Sequence, residues 1–362
     1  MARRALPRRR FAGLLTAALV ALAYVAVAEI VLRFLPVTTG LRSVAVDNAQ
    51  PIFHFEANRD FVYSRDWNLR EVVRGRVNND GWVNRLDYEH DSSLPLIAVV
   101  GDSYIEAQMV PYAETMQGRL AGALQGKARV YSFAAAGAPL SEFAVYAAYA
   151  VDKFGARAVV LNVADYSFAD SDDAYRRSSG MWVYAGAGAD KQLRLVPYHP
   201  GWVREVVRDS ALLRYLLLNL HLDRAVAALR AAQPASVRPA AAAAPENARL
   251  DAAKAVIPLF FRDFQRLVGL PRDRVLFVLN GMPFGTKPDP EKQELRRLFA
   301  AAVGAQGYEA VDLDPLFAER YRRDGPVFQI AGDRHWNGEG HAIAASAAMA
   351  SRLIADLLAQ PR

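Results

Sequence analysis

The sequence predicts an α/β fold: a parallel five-stranded sheet covered by helices on both faces, with one apolar helix in front of it. Five short apolar runs, 96–100, 128–133, 158–163, 274–279 and 310–313, carry the sheet. A strand that is apolar on both sides belongs in a sheet buried on both faces, as parallel sheets are. Between most of these runs lie amphipathic stretches, 114–124, 141–154, 252–268 and 292–303, with a last one over 340–358. They supply the helical crossovers that parallel neighbours require. The front helix is read from 18 consecutive residues, 11–28, without a charge.

That N-terminal run explains the net charge. The chain of 362 residues carries a formal +6, which by itself points to a polyanionic partner. Five arginines, however, stand in the first ten residues, and the remainder carries 39 basic and 38 acidic side chains. Nucleic acid is therefore not an expected partner. A basic cluster ahead of an apolar run keeps the N-terminus in the cytoplasm and sends the rest of the chain outward. Residues 1–10 read as a cytoplasmic tag and 11–35 as a single-pass signal-anchor, because the apolar stretch continues past Glu29 through Ile30, Val31, Leu32, Phe34 and Leu35. A cleaved signal peptide is the competing reading, since Ala26-Val27-Ala28 has the small-x-small form of a cleavage site. Either way the body is expected outside the cytoplasmic membrane.

Residues 36–95 read as a juxtamembrane segment with a hairpin around Asp80-Gly81, and 96–358 as the main domain, interrupted by an insertion at 164–250. Within the insertion, 210–222 is rich in leucine but broken by Arg214, Asn219 and His221, which favours a buried or lid-forming helix over a second membrane span. The Ala/Pro-rich 231–245 reads as an exposed linker. An apolar content of 52% excludes a disordered or fibrous chain. The absence of cysteine excludes thiolate nucleophiles, Cys-ligated zinc, iron–sulfur clusters and disulfides, and no metal or organic cofactor is implied.

In parallel sheets ligands bind beyond the carboxyl ends of the strands, so the residues just past each run matter most. The first run ends in Gly101-Asp102-Ser103, where Ser103 is either a nucleophile or a cap on the next helix. The second is followed by Gly137, either an oxyanion donor through its N–H or a plain turn. The third leads to Asn162 and Asp165. After the fifth comes Gly332-Asp333-Arg334-His335-Trp336-Asn337. A nucleophilic serine needs a base, and a neutral imidazole needs a carboxylate to fix its tautomer. Asp333 and His335 meet both needs if their loop folds back on itself. Of the six histidines the other five look less suitable, and His341 reads as a packing residue on the last helix. A parallel sheet would bring Ser103, Gly137, the Asn162/Asp165 region and the Asp333/His335 loop to one edge, which is what an acyl-transfer site requires.

On these residues the chain, over about 70–355, resembles the SGNH/GDSL hydrolase superfamily of flavodoxin-like esterases and related acyltransferases. Gly101-Asp102-Ser103 resembles its first block, Gly137 its second and Asp333 with His335 its last, in an Asp-x-His-Trp spacing in place of the commoner Asp-x-x-His. That spacing is similar to a periplasmic or membrane-anchored branch, some of it related to polysaccharide O-acetyltransferases, and Asn79-Asp80-Gly81-Trp82 resembles a segment common in such proteins. The third block departs from Gly-x-Asn-Asp: the nearest register, Asn162-Val163-Ala164-Asp165, has alanine where the oxyanion-donating asparagine is expected. The resemblance implies a three-layer α/β/α sandwich. It further implies a Ser103–His335–Asp333 triad, an oxyanion hole from the Ser103 and Gly137 N–H groups with Asn162 as a third candidate, and hydrolysis or transfer of an O-acyl, chiefly acetyl, group. An acyl ester, with an envelope polysaccharide as its carrier, is the substrate so implied. A catalytically inactive module for binding or assembling envelope polysaccharide is the alternative, motivated by the third block.

Overall fold

The computed structural model describes residues 8–90, 92–164, 167–222, 246–280, 289–325, 328–333 and 335–359. The chain divides into two compact units, one of residues 1–41, 61–74 and 201–239 and the other of 42–60, 75–200 and 240–362. In chain order, helix α1 (Arg8–Arg33) is followed by strands β1 (Arg59–Arg65) and β2 (Arg70–Val77), which pair as a two-stranded sheet. The second unit's sheet begins with β3 (Leu96–Gly101), and the short helix α2 (Ser103–Glu106) and α3 (Met116–Ala123) lead to β4 (Arg129–Ala134). Then come α4 (Leu140–Phe154), β5 (Ala156–Val163), and a small hairpin of β6 (Trp182–Ala185) with β7 (Gln192–Leu195). Helices α5 (Trp202–Asp209), α6 (Ala211–Arg214) and α7 (Glu246–Val268) precede β8 (Val275–Leu279), α8 (Pro290–Ala305) and β9 (Glu309–Asp312). Helices α9 (Asp314–Asp324), α10 (Gly338–Met349) and α11 (Arg352–Ala359) close the chain.

The five apolar runs form one parallel sheet in the order β4-β3-β5-β8-β9. Counted along the chain this is 2-1-3-4-5, the flavodoxin-like order, whose switch point lies between the first and third strands. Strands β3, β5 and β8 are buried along nearly their whole length, as their sequences require. Side chains alternate between faces. Ile97, Val99, Val160 and Val278 point to one face, where they pack with Met116 and Leu120 of α3, Phe317 of α9, Ala344 of α10 and Ile354 of α11. Phe277 serves the other face and meets Phe260 and Phe264 of α7 and Phe299 of α8. The result is three layers.

Two details differ from the sequence expectations. The hairpin is formed by β1 and β2 around 66–69, and Asp80-Gly81 instead closes a short loop with a single bridge from Val77 to Val83. Its tip is a structural plug: Trp82 is fully buried against Phe133 and Tyr146, while Asp80 accepts from the Trp82 indole and the Tyr149 hydroxyl and pairs with Lys153. The leucine-rich 210–222 forms helix α6 and a π-helical turn over Tyr215–Asn219, in the same unit as α1. The last amphipathic stretch is two helices, α10 and α11, bent by 55°. The expected linker at 231–245 and the candidate Asp165 lie outside the described residues.

Helix α1 contains the stretch Ala12–Arg33, long and apolar enough to cross a membrane.

Candidate active site

Register aligns the strand ends that build the site. Gly101 at the end of β3 stands opposite Ala134 at the end of β4, so Ser103 and Gly137 follow neighbouring strands within three residues of their ends. The turn out of β3 requires glycine at 101, because a Cβ there would sit 2.5 Å from Cγ1 of the buried Ile105. Asp102 caps α2, its carboxylate accepting from the Tyr104 N–H at 3.0 Å. Such a cap is worth about 1 kcal/mol. Ser103 is therefore the first residue of a helix, and the cap is made by its neighbour; the helix-cap reading of Ser103 gives way to Asp102.

The second arm is the 328–337 loop. Gly332 takes φ +74°, a left-handed conformation that lets the chain reverse tightly. Backbone bonds from Ile330 N–H to the His335 carbonyl and from Asn337 N–H to the Phe328 carbonyl tie the two sides together. Asn337 caps α10 through its side chain, so helix-entry chemistry is present as well. Behind the loop, Trp336 is buried against Tyr104, Phe317 and His341.

This fixes His335 between two partners. Its Nδ1 lies 2.6 Å from Oδ1 of Asp333 and its Nε2 lies 2.8 Å from Oγ of Ser103. Asp333 also accepts from the His335 backbone N–H. With the Nδ1 proton donated to the carboxylate, Nε2 is left as acceptor for the serine hydroxyl. Burial draws the imidazole pKa down, but the hydrogen bond and charge of Asp333, with Asp102 and Glu106 adding, outweigh it and leave the pKa above the ordinary histidine value.

Gly137 takes φ +77° in the β4–α4 turn. The N–H of the preceding Ala136 donates at 2.7 Å to Oε2 of Glu106, the last residue of α2. Helix α2 thus carries Ser103 at one end and grips the Gly137 turn at the other. Burial pushes the Glu106 carboxyl up to about 7, against the opposing bonds from Ala136 and Gln108 and the nearby His335. Nothing in the sequence marks this residue, because a glutamate in a short helix reads as solvated.

Asn162 is fully buried within β5, and its Nδ2 donates at 2.8 Å to Oδ1 of Asn280, while its own Oδ1 has no hydrogen-bond partner among the described residues. One of the two amide protons of Asn162 is thus engaged by Asn280. Asn280, the first residue after β8, escaped the sequence reading although the strand-end rule applied to Asn162 would have found it. His341 is buried and neutral, its pKa lowered by burial to about 3, and its Nδ1 accepts from the Met116 N–H. It packs, as expected. His54 and His90 bond backbone carbonyls elsewhere. No group of three or more metal-ligating side chains occurs among the described residues.

Fold and site together define an α/β protein of flavodoxin-like strand order with a hydrogen-bonded serine, histidine and aspartate at the carboxyl edge of its sheet. No family model and no curated protein matches the chain. Among solved structures it is similar to a member of the lipolytic protein G-D-S-L family from Veillonella parvula DSM 2008, at 10% identity over 70% of this chain and 96% of that one, TM-score 0.37. It is similar to the lipase/acylhydrolase from Enterococcus faecalis, at 10% identity over 70% and 93%, TM-score 0.38. It is also similar to Axe2, an acetylxylan esterase from Geobacillus stearothermophilus, at 12% identity over 75% and 98%, TM-score 0.39.

Proposed function

We propose that the chain is a membrane-anchored serine esterase whose body works outside the cytoplasmic membrane on an O-acyl, chiefly acetyl, ester of an envelope glycan. The observation that carries this reading is the continuous hydrogen-bonded line from Ser103 through His335 to Asp333. In the first step Ser103 Oγ attacks the ester carbonyl while His335 Nε2 takes its proton, and Asp333 holds the imidazole in the required tautomer and stabilises its charged form. The carbonyl oxygen becomes an oxyanion, received by the N–H groups of Ser103 and Gly137. Collapse expels the alcohol, protonated by His335, and leaves an acyl-serine. Water, deprotonated by His335, then releases the acid and restores the serine. A sugar hydroxyl in place of water would turn the same cycle into acyl transfer.

The second reading, an inactive binding module, is favoured by one observation: Ala164 stands where the third-block asparagine donor is expected. Acetate release separates the two. The full chain in detergent micelles is expected to release acetate from an acetylated polysaccharide, and Ser103→Ala to abolish it. A wild type that binds the polysaccharide without releasing acetate would favour the module.

A further inference from the structure

Helix α5 is built inside out. Trp202, Val203 and Val206 stand at helical spacing on one face and are exposed, Trp202 at 78%, while Arg208 is buried at 7% and paired with Glu205. An apolar face left in water while an arginine is buried implies that something other than water covers the face.

The structure shows what lies beside it. Glu29, one turn before the end of α1, accepts hydrogen bonds from the Ala211 and Leu212 N–H groups and from the Ser210 hydroxyl, so α6 is docked on α1. Arg33, the last residue of α1, donates to the carbonyl of Asp209, the last residue of α5. The carboxyl end of α5 is therefore fixed at the level where α1 ends. Eight residues rise about 12 Å, so Trp202 lies within about that distance of the same level. A second aromatic joins it: the Tyr215 hydroxyl donates at 2.7 Å to the carbonyl of Trp67, whose side chain at the β1–β2 turn is 70% exposed. Phe34, directly after α1, is also exposed. Tryptophans and an apolar helix face beside the end of a span match the headgroup boundary of a bilayer, where aromatic rings and amphipathic helices settle.

We propose that α5 and the β1–β2 turn form a lipid-facing platform, with Trp202, Val203, Val206, Trp67 and Phe34 seated in the headgroup region of the leaflet from which α1 emerges. The proposal rests on the reading of α1 as a retained membrane span. It makes the first unit an interfacial foot, holding the chain at the surface through more than one helix.

The chain has no cysteine, so single cysteines can be introduced and spin-labelled without background. The full chain is placed in nanodiscs of phosphatidylethanolamine and phosphatidylglycerol, with labels at Val203→Cys, Val206→Cys, Arg204→Cys and, within α1, Leu19→Cys. The expected result is a loss of accessibility to an aqueous nickel relaxant, with retained accessibility to oxygen, at 203, 206 and 19, and the reverse at 204. If 203 and 206 are as open to nickel as 204 while 19 is in lipid, the platform is overturned and the anchor stands. If 19 is also open to nickel, the anchor reading itself fails. Low accessibility to both relaxants at 203 and 206 would mean a protein partner or a second copy covers the face, which also overturns the proposal. Quenching of native tryptophan fluorescence by brominated lipid gives an independent check, with a quenched component expected to be lost in Trp202→Phe and Trp67→Phe.

Discussion

The imidazole Nε2 of His335 lies 2.8 Å from the hydroxyl oxygen of Ser103, across 232 residues of sequence. No local interaction could bring them together. The contact exists because β3 places Ser103 at the sheet's carboxyl edge and because the 328–337 loop, bound to itself and backed by Trp336, reaches the same edge. From this relationship the following outcomes are expected.

Removing either partner should remove the chemistry. Ser103→Ala and His335→Ala are each expected to lower kcat by about 10⁴ to 10⁶, and the double variant to cost little more than either alone, because the pair acts as a unit. Asp333→Ala should cost about 10⁴, since it orients the base without taking the proton. Steady-state kinetics on a simple acetyl ester, with KM nearly unchanged, checks this.

Activity should be lost on the acid side as His335 takes up a proton. Asp333, the first opposing cause after burial, holds the His335 pKa above its ordinary value, so the acid limb of kcat/KM lies above that value. In Asp333→Asn the hydrogen-bonded charge is gone and burial is less opposed. The limb should therefore move to lower pH even as the rate falls. A pH profile in which the limb stays fixed would assign it to another group.

Glu106 should act on kcat through position. Its carboxylate holds the Ala136 N–H, and with it the turn that presents Gly137. In Glu106→Gln the buried acceptor is replaced by an amide that cannot satisfy both Ala136 and Gln108 as acceptor. A displaced donor of about 1 Å can cost on the order of 10²-fold. The expected result is a fall in kcat of about 10- to 100-fold with KM little changed, together with loss of any component of the pH profile near 7 that belongs to this carboxyl.

Glu142 gives a stability test separate from catalysis. It is fully buried in the first turn of α4, its Oε2 accepts from the Trp182 N–H, and burial pushes its pKa up to about 8. The folded state therefore binds this proton more tightly than the unfolded state does. Its contribution is fully present below the ordinary glutamate value of 4.5 and is lost as pH rises through about 8. Glu142→Gln keeps the acceptor and removes the titration. Thermal melts should show the variant gaining on the wild type by several degrees between these limits, on the order of a few kcal/mol.

The sheet was legible in the sequence because its central strands β3, β5 and β8 are buried on both faces and so carry apolar runs, with shorter runs at the edges; all five stand within two residues of their expected bounds. Ser103, Asp333 and His335 were legible because the strand-end rule and the need of a serine for a base selected them from few candidates. The β1–β2 hairpin was not, because its turn is made by Asp66 and Leu69 in left-handed conformations, at φ +59° and +54°, with no glycine to signal it. Helix α9 lies hidden in the connection between the fifth strand and the Asp333 loop. Glu106 was invisible for a different reason: it matters only through what the fold places against it. Gly340 is of the same kind, since a Cβ there would meet the Phe328 carbonyl at 2.5 Å and Cβ of Trp336 at 2.7 Å, a constraint that exists only once the loop is folded.

The central claim, that Ser103 is a nucleophile activated by His335, is tested most directly by covalent labelling with a fluorophosphonate followed by peptide mass mapping. The full-length wild type should acquire one phosphonyl adduct, mapped to Ser103, at a rate that falls as pH drops through the His335 titration, and His335→Ala should label far more slowly. An unlabelled Ser103 in folded wild-type protein, or labelling whose rate is indifferent to His335, would contradict the account.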